Sequence, residues 1–342
     1  MSLAALVVLS LTTSVLPAEA QPAVRRLCTP GGSELAELSG LAAGGDRWFA
    51  VSDGGSALRV FVLRPADCEV VDEITAEANP YDVEDLALAA DGALWLADTG
   101  DNDLDRSTVA LHRLTQDGDA DLYRLTYPDG PHDAEALLLD RGGVPHVVTK
   151  ELGTARVYRP AGVLTEPGPT ALEQVATVRL EPTGTPGGPA GGVGSVLVTG
   201  GAVSADGHVV ALRTYTDAYP FSAPGGDVVA ALAGTPVRIP LPDEPQGEAL
   251  ALAPDGTLLS GSEALSGAAV PGTEGAAPIR AVPGAVALVA PPAVARESGA
   301  PPPEESAAEP GTGGLPQWQG ALAAIGFVGL LALLATRRRR SR

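Results

Sequence analysis

Glu84-Asp85-Leu86-Ala87-Leu88, the turn pair Asp91-Gly92, and the run Ala93-Leu94-Trp95-Leu96-Ala97-Asp98 decide how this chain folds. Short apolar runs on either side of Asp-Gly read as a β-hairpin, because the tight turn needs positive φ and glycine tolerates it. The same grammar returns twice in full. Glu135-Ala136-Leu137-Leu138-Leu139 leads to Gly142-Gly143 and then Val144 to Thr149, and Glu248-Ala249-Leu250-Ala251-Leu252 leads to Asp255-Gly256 and then Thr257 to Ser262. Weaker copies run from Gly201-Ala202-Val203 through Asp206-Gly207 to Arg213, and from Ser39-Gly40-Leu41-Ala42 through Gly44-Gly45-Asp46 to Ser52-Asp53. Their starts lie roughly 45 to 65 residues apart, the spacing of one four-stranded propeller blade with variable loops.

Further strand-like runs follow several copies, such as Leu58 to Leu63 and Thr108 to Arg113, as the outer half of a blade requires. The expected fold is all-β: a β-propeller with five recognisable blades. The long Pro/Gly-rich stretch from Leu152 to Val198 leaves room for a sixth. A β-sandwich is the alternative, but it gives no reason for recurrent Glu-Ala-Leu starts. Radial stacking does, since a lone four-stranded sheet buries its faces only against neighbours. With 42 Gly, 31 Pro and 4% aromatic residues, the body is turn-rich and its core is built mainly from Val, Leu and Ala.

Both ends read as targeting and anchoring segments. The uncharged apolar run Leu3 to Leu16, followed by Pro17-Ala18-Glu19-Ala20, matches a signal peptide over residues 1–20. An N-terminal segment (21–34) then precedes the ectodomain (35–292). Residues 293–316, rich in Pro, Glu, Ala and Gly, form an expected disordered spacer. Trp318 to Thr336 carries no charge and is followed by Arg337 to Arg340, so a membrane helix is expected over 317–336 with a basic cytoplasmic tail at 337–342. The expected location is the cell membrane, single-pass, with the body outside.

The formal net charge is -20, and five of the 22 basic residues lie in the last six positions, so the body is more acidic still. Such a surface repels phosphate backbones and excludes nucleic acid as a partner. It suits solubility outside the cell, or binding of divalent cations. Cys28 and Cys68 both follow the cleavage point, in a compartment where disulfides persist, and are expected to pair, with two separate buried thiols as the alternative.

Three repeats place a glutamate just before the inner strand: Glu84, Glu135 and Glu248. In a propeller these positions converge on one end of the central channel. Strands after the turns end at Asp98, Thr149, Arg213 and Ser262, with Lys150 and Glu263 one step further on. The candidate ligand-binding set is therefore Glu84, Glu135, Lys150, Arg213, Glu248 and Glu263. Glutamates that cap backbone amides or tie blades together are the competing reading. In the loop from Asp98 to Asp105, four Asp and one Asn offer hard oxygen donors, which makes Asp98, Asp101, Asn102 and Asp103 candidate Ca²⁺ ligands. An EF-hand is excluded because Arg106 stands where its glycine belongs. There is no G-x-S-x-G elbow and no H-x-x-x-H zinc spacing.

The run Asp82-Val83-Glu84-Asp85-Leu86-Ala87, followed by Leu96-Ala97-Asp98-Thr99-Gly100-Asp101-Asn102, resembles secreted bacterial β-propellers related to the esterase-like phytase domain family. The resemblance spans about residues 35 to 290 and implies ester or phosphoester hydrolysis with Ca²⁺. Two functions are thus in view. One is a surface-displayed module that binds an unidentified extracellular ligand or protein, with Ca²⁺ as a stabiliser. The other is a metal-assisted hydrolase.

Overall fold

The computed structural model describes residues 23–53, 56–189, 191–264 and 275–289. The expected signal peptide, spacer, membrane helix and tail lie outside these residues. Among the described residues no helix is long and apolar enough to cross a membrane.

Strand β1 (Arg25–Cys28) comes first in the chain. Strands β2 (Leu38–Ala43), β3 (Trp48–Ser52), β4 (Leu58–Leu63) and β5 (Val70–Ala76) form an antiparallel meander. A second comprises β6 (Val83–Leu88), β7 (Leu94–Asp98), β8 (Val109–Leu114) and β9 (Ala120–Thr126). The third is β10 (Ala134–Leu139), β11 (Pro145–Thr149), β12 (Ala155–Pro160) and β13 (Thr170–Val178). The fourth is β14 (Val198–Val203), β15 (Val209–Thr214), β16 (Asp217–Ser222) and β17 (Ile239–Pro240). In the last sheet β18 (Gln246–Leu252), β19 (Leu258–Glu263) and β20 (Ile279–Val282) are completed by β1, which returns to pair with β20. A short parallel contact of β13 with β9 joins the second and third meanders into one eight-stranded sheet.

Each repeat read in the sequence is the first hairpin of one meander. The strands that open them, β2, β6, β10, β14 and β18, abut one another in a circle. Apolar clusters fill the gaps between neighbouring meanders. Val51, Val60 and Val62 meet Leu86, Leu94 and Leu96. Trp95 and Leu111 meet Leu137, Val147 and Tyr158. Closure comes where Leu41, Ala50 and Phe61 of the first meander meet Ala249, Leu259 and Ile279 of the last. This radial arrangement is that of a β-propeller. The stretch Leu152 to Val198 supplies β12, β13 and a 3₁₀ turn at Gly191–Val196, so among the described residues it adds no further sheet. The segment expected to precede the body instead supplies its closing strand, β1.

Two features lock the ring. Cys28 at the end of β1 and Cys68 in the turn before β5 form the expected disulfide, with Cα atoms 5.6 Å apart. The bridge ties the closing strand to the first meander, and a loop of this length contributes about 4 kcal/mol by chain-entropy reasoning. Near the axis, Asp85 of β6 is fully buried. Its carboxylate accepts from the backbone N–H of Leu86 (2.8 Å), Leu137 on β10 (2.7 Å) and Gly201 on β14 (3.1 Å). Burial pushes its pKa up against three donors that favour the charged form. Inner strands come close enough that a Cβ at Gly40 would sit 2.8 Å from the Leu86 backbone nitrogen. That position requires glycine.

Replacing Asp85 with Ala strands three buried amides, and each orphaned buried group costs on the order of 1–3 kcal/mol. Because the desolvation of the carboxylate is also removed, the expected net loss is about 3 kcal/mol, read from urea unfolding. A loss under roughly 0.5 kcal/mol, the usual range for surface changes, would show that the pin does not hold the inner strands.

Candidate functional site

At the start of every innermost strand the pairing register shifts by one residue. Leu38 and Gly40 face Ser52 and Val51, Val83 and Asp85 face Asp98 and Ala97, Ala134 and Ala136 face Thr149 and Val148, and Val198 and Gly200 face Thr214 and Arg213. The extra residues are Ser39, Glu84, Glu135 and Thr199, and the shift in β18 falls between Gly247 and Leu250, at Glu248. A bulge re-aims a side chain that regular pleating would point elsewhere. Two of these positions close the seam: Ser39 Oγ donates to Val83 O (3.0 Å) and Thr199 Oγ1 to Gly247 O (2.8 Å). The other three are the glutamates picked out by the repeat.

Glu84, Asp133 and Glu135 each offer a carboxylate oxygen, and these oxygens lie within 4.8 Å of one another. All three residues are buried, Glu135 at 3% exposure. Glu84 belongs also to a second such group with Asp53 and Asp82, which are half-buried. Glu135 Oε1 is paired with Lys150 Nζ, which lies 3.6 Å from Asp133 Oδ2. Glu135 Oε2 is buried with no hydrogen-bond partner. An orphaned carboxylate oxygen beside two further buried carboxylates is the donor chemistry that a hard divalent cation completes. These residues therefore fit a metal ion.

Crowding and burial shape the electrostatics. Burial, then the Asp53 carboxyl, raise the pKa of Asp82 from 3.8 to about 7. Burial, then Asp82 and Asp53, push Glu84 well up. Across the mouth Gln246 Nε2 donates to Glu248 Oε1 (3.0 Å) and to Glu263 Oε2 (2.7 Å). Glu248 is raised by burial and by its bond to Glu263, and it also feels the charge of Glu84. Glu84, Glu135, Glu248, Glu263 and Lys150 thus share one end of the channel.

Arg213 does not join them. It is fully buried, donating to Glu244 Oε2 (2.7 Å), Ser260 Oγ (2.7 Å), Ala249 O (3.0 Å) and Gly261 O (3.0 Å). It ties the fourth sheet to the fifth. The register explains this: Asp98 and Thr149 face Val83 and Ala134, and the residue in that position of β15 is Thr214, which faces Val198. A slip of one residue reverses the face.

The Asp98–Asp105 loop is also placed differently from its expected role. Asp98 accepts from the Tyr81 and Asp82 amides (3.1 and 3.0 Å), Arg106 Nη2 (2.9 Å) and His112 Nε2 (3.3 Å). Asp101 accepts from the Asp105 and Arg106 amides (3.0 and 3.1 Å), and its own N–H donates to Asp133 Oδ1 (2.9 Å). Asn102 and Asp103 are exposed. With Asp98 and Asp101 engaged in these bonds, the loop is a scaffold: it orients Asp82 and Asp133 towards the mouth, and does not form a cage itself. Behind Asp133 and Lys150, His132 lies between Asp129 (3.1 Å), Glu151 (2.9 Å) and Tyr158 (3.0 Å).

Three site carboxylates escaped the sequence reading, though two carried a signal. Asp82 and Asp133 each stand two residues before a repeat glutamate, as Gln246 stands before Glu248. Asp53 occupies the place in its hairpin that Lys150 and Glu263 occupy in theirs. A cavity of about 440 Å³ opens beside it between the first two meanders, lined by Asp53, Asp82, Glu37, Tyr81, Arg59 and Phe61 among others.

No family model matches this chain, and no curated protein sequence does. Among solved structures it is similar to a luciferin-regenerating enzyme, at 12% identity and a TM-score of 0.45 over 77% of this chain and 95% of that one. It is also similar to a PQQ-bound aldose sugar dehydrogenase from Streptomyces coelicolor (10% identity, TM-score 0.42, 77% and 98% covered). A gluconolactonase from Xanthomonas campestris shows 14% identity and a TM-score of 0.40, with 72% of each chain covered.

Asp82 gives the mouth a pH signature. A carboxyl whose pKa is higher folded than unfolded keeps a proton that the unfolded chain has released, so its stability contribution falls as pH rises between the two values. For Asp82 that window runs from 3.8 to about 7. In chelator, Asp82→Asn should gain in Tm relative to wild type between pH 4.5 and 7.5. A difference that stays constant with pH would rule out the raised pKa.

Proposed function

We propose that this protein is an exported, membrane-tethered, five-bladed propeller that hydrolyses a small ester or phosphoester with a divalent cation in its acidic mouth. One observation carries this reading: three buried carboxylates from two adjacent sheets bring oxygens within 4.8 Å of one another, and one oxygen of Glu135, Oε2, is buried without a partner. The fivefold count of blades rests on the five meanders and the circle of inner strands. Export and tethering rest on the apolar ends of the sequence. Kinship with esterase-like phytase propellers rests on the Glu84 and Asp98–Asn102 motifs.

Glu84, Asp133 and Glu135 would hold the ion, for which Ca²⁺ is the first candidate because every donor is a carboxylate. A bound cation would polarise the ester or phosphoryl oxygen. The rest falls to the protein's own groups. Asp82, shared with Asp53 and raised to about 7, is suited to take a proton from a water near neutral pH. It lines the 440 Å³ cavity, which limits the substrate to a small molecule. Lys150 supplies a positive charge among the buried carboxylates. The cavity at the first two meanders, next to Asp82, gives the substrate a place that does not displace the buried carboxylates.

Two measurements test the proposal. Purified full chain, assayed on p-nitrophenyl esters, lactones and phosphoesters, should show turnover that EDTA abolishes and a divalent cation restores. Glu84→Gln should lower kcat/KM at least a hundredfold, the scale of a lost electrostatic or acid–base group. Independently, saturating Ca²⁺ should raise the Tm of wild type and not that of the Glu84→Gln/Glu135→Gln double variant, because a ligand of the native state stabilises by mass action. Cation binding without any turnover would leave a binding module. Turnover indifferent to chelator would end the metal-assisted reading.

A further inference from the structure

We propose that Lys150 is a tethered cation that occupies the carboxylate site in competition with a divalent ion and sets its affinity. The inference rests on the cation reading of the mouth and concerns how that site is regulated. Lys150 is the only lysine among the 342 residues. Its ammonium contacts Glu135 Oε1 and lies 3.6 Å from Asp133 Oδ2, so it engages two of the three carboxylates that converge there. The remaining Glu135 oxygen is buried and unpartnered. The lysine therefore satisfies the site only in part: it neutralises one charge and leaves a donor free.

A divalent ion at contact distance from the same oxygens would face the ammonium at a few ångströms. Like charges at that range repel strongly in a buried site. Entry of the ion therefore requires Nζ to leave. The side chain has room to do so, being 16% exposed, on a four-carbon stem held at its base by the Lys150 N–H bond to Asp133 O (2.9 Å). Its charge also acts on Glu84 and Glu263, so carboxylates other than Glu135 and Asp133 lie within its influence. Without an internal cation the clustered carboxylates would repel one another. One lysine holds the empty site together and weakens the ion's hold on it.

Calorimetric titration of the full chain with Ca²⁺ and with Mn²⁺ tests this on wild type, Lys150→Met and Lys150→Arg. The Met variant should bind at least tenfold more tightly, and the Arg variant, which keeps the charge, should stay within about threefold of wild type, since tenfold corresponds to 1.4 kcal/mol. Wild-type binding with no gain in Lys150→Met overturns the competition and leaves the cation reading standing. No binding by wild type and by Lys150→Met overturns both. A second measurement needs no variant: acetylation of Lys150, followed by mass spectrometry, should accelerate severalfold when the cation is added to wild type. An unchanged rate, or protection, means that the ammonium is not displaced and sinks the inference.

Discussion

The structure depends on the close approach of five inner strands around one axis, and Asp85 is where that approach is fixed chemically. A single buried carboxylate collects amides from β6, β10 and β14, strands that lie far apart in sequence. No regular ladder joins these strands, because the inner edges of neighbouring sheets meet side to side. Their backbone donors would otherwise face a dry interior, where an unpaired polar group is costly. Small residues such as Gly40 let the strands come close enough for the pin to reach. The disulfide between β1 and the first meander holds the same closure from the outside.

Closure also creates the site. Residues that each sheet would tolerate singly as exposed acids are driven together at the mouth, where burial and mutual repulsion raise Asp82, Glu84, Glu248 and Glu263 above the ordinary carboxylate range. Such crowding costs stability and persists in functional centres, where a cation or a proton relieves it. The surroundings are built to hold the arrangement. Asp98 and Asp101, with Arg106 across the ring of Tyr81, fix the loop that presents Asp82 and Asp133. The bulges then turn Glu84, Glu135 and Glu248 into the mouth, while Ser39 and Thr199 at the equivalent places stitch adjacent sheets.

The hairpin grammar of Glu84 to Asp98 was legible because turn chemistry and alternating apolar runs are local properties. Five hairpins with matching starts then implied radial repetition, and the starting glutamates implied a shared end. The roles of single polar residues were harder to read. Arg213 looked equivalent to Asp98 by counting from the turn, but the ladder shows Thr214 there, and the arginine turns instead to Glu244 in a buried pair. Counting fails wherever strand lengths differ by one residue, since the pleat has a period of two. The acidic loop 98–105 looked like a cation cage by composition. Whether a carboxylate is free or engaged by backbone amides depends on loop geometry that composition does not encode.

The amino-acid order was enough to read the unit of construction: a hairpin with glycine in its turn, a glutamate at the head of three copies, and two cysteines expected to pair. Those features are local or compositional, so they survive without coordinates. Only the assembled ring makes β1 complete the last sheet, brings Asp53 beside Asp82 and Glu84, turns Arg213 away from the mouth, and sets the Lys150 ammonium against Glu135 and Asp133. These facts arise from register and ring closure, which bring together residues from sheets remote in the chain. No local stretch of sequence contains that information.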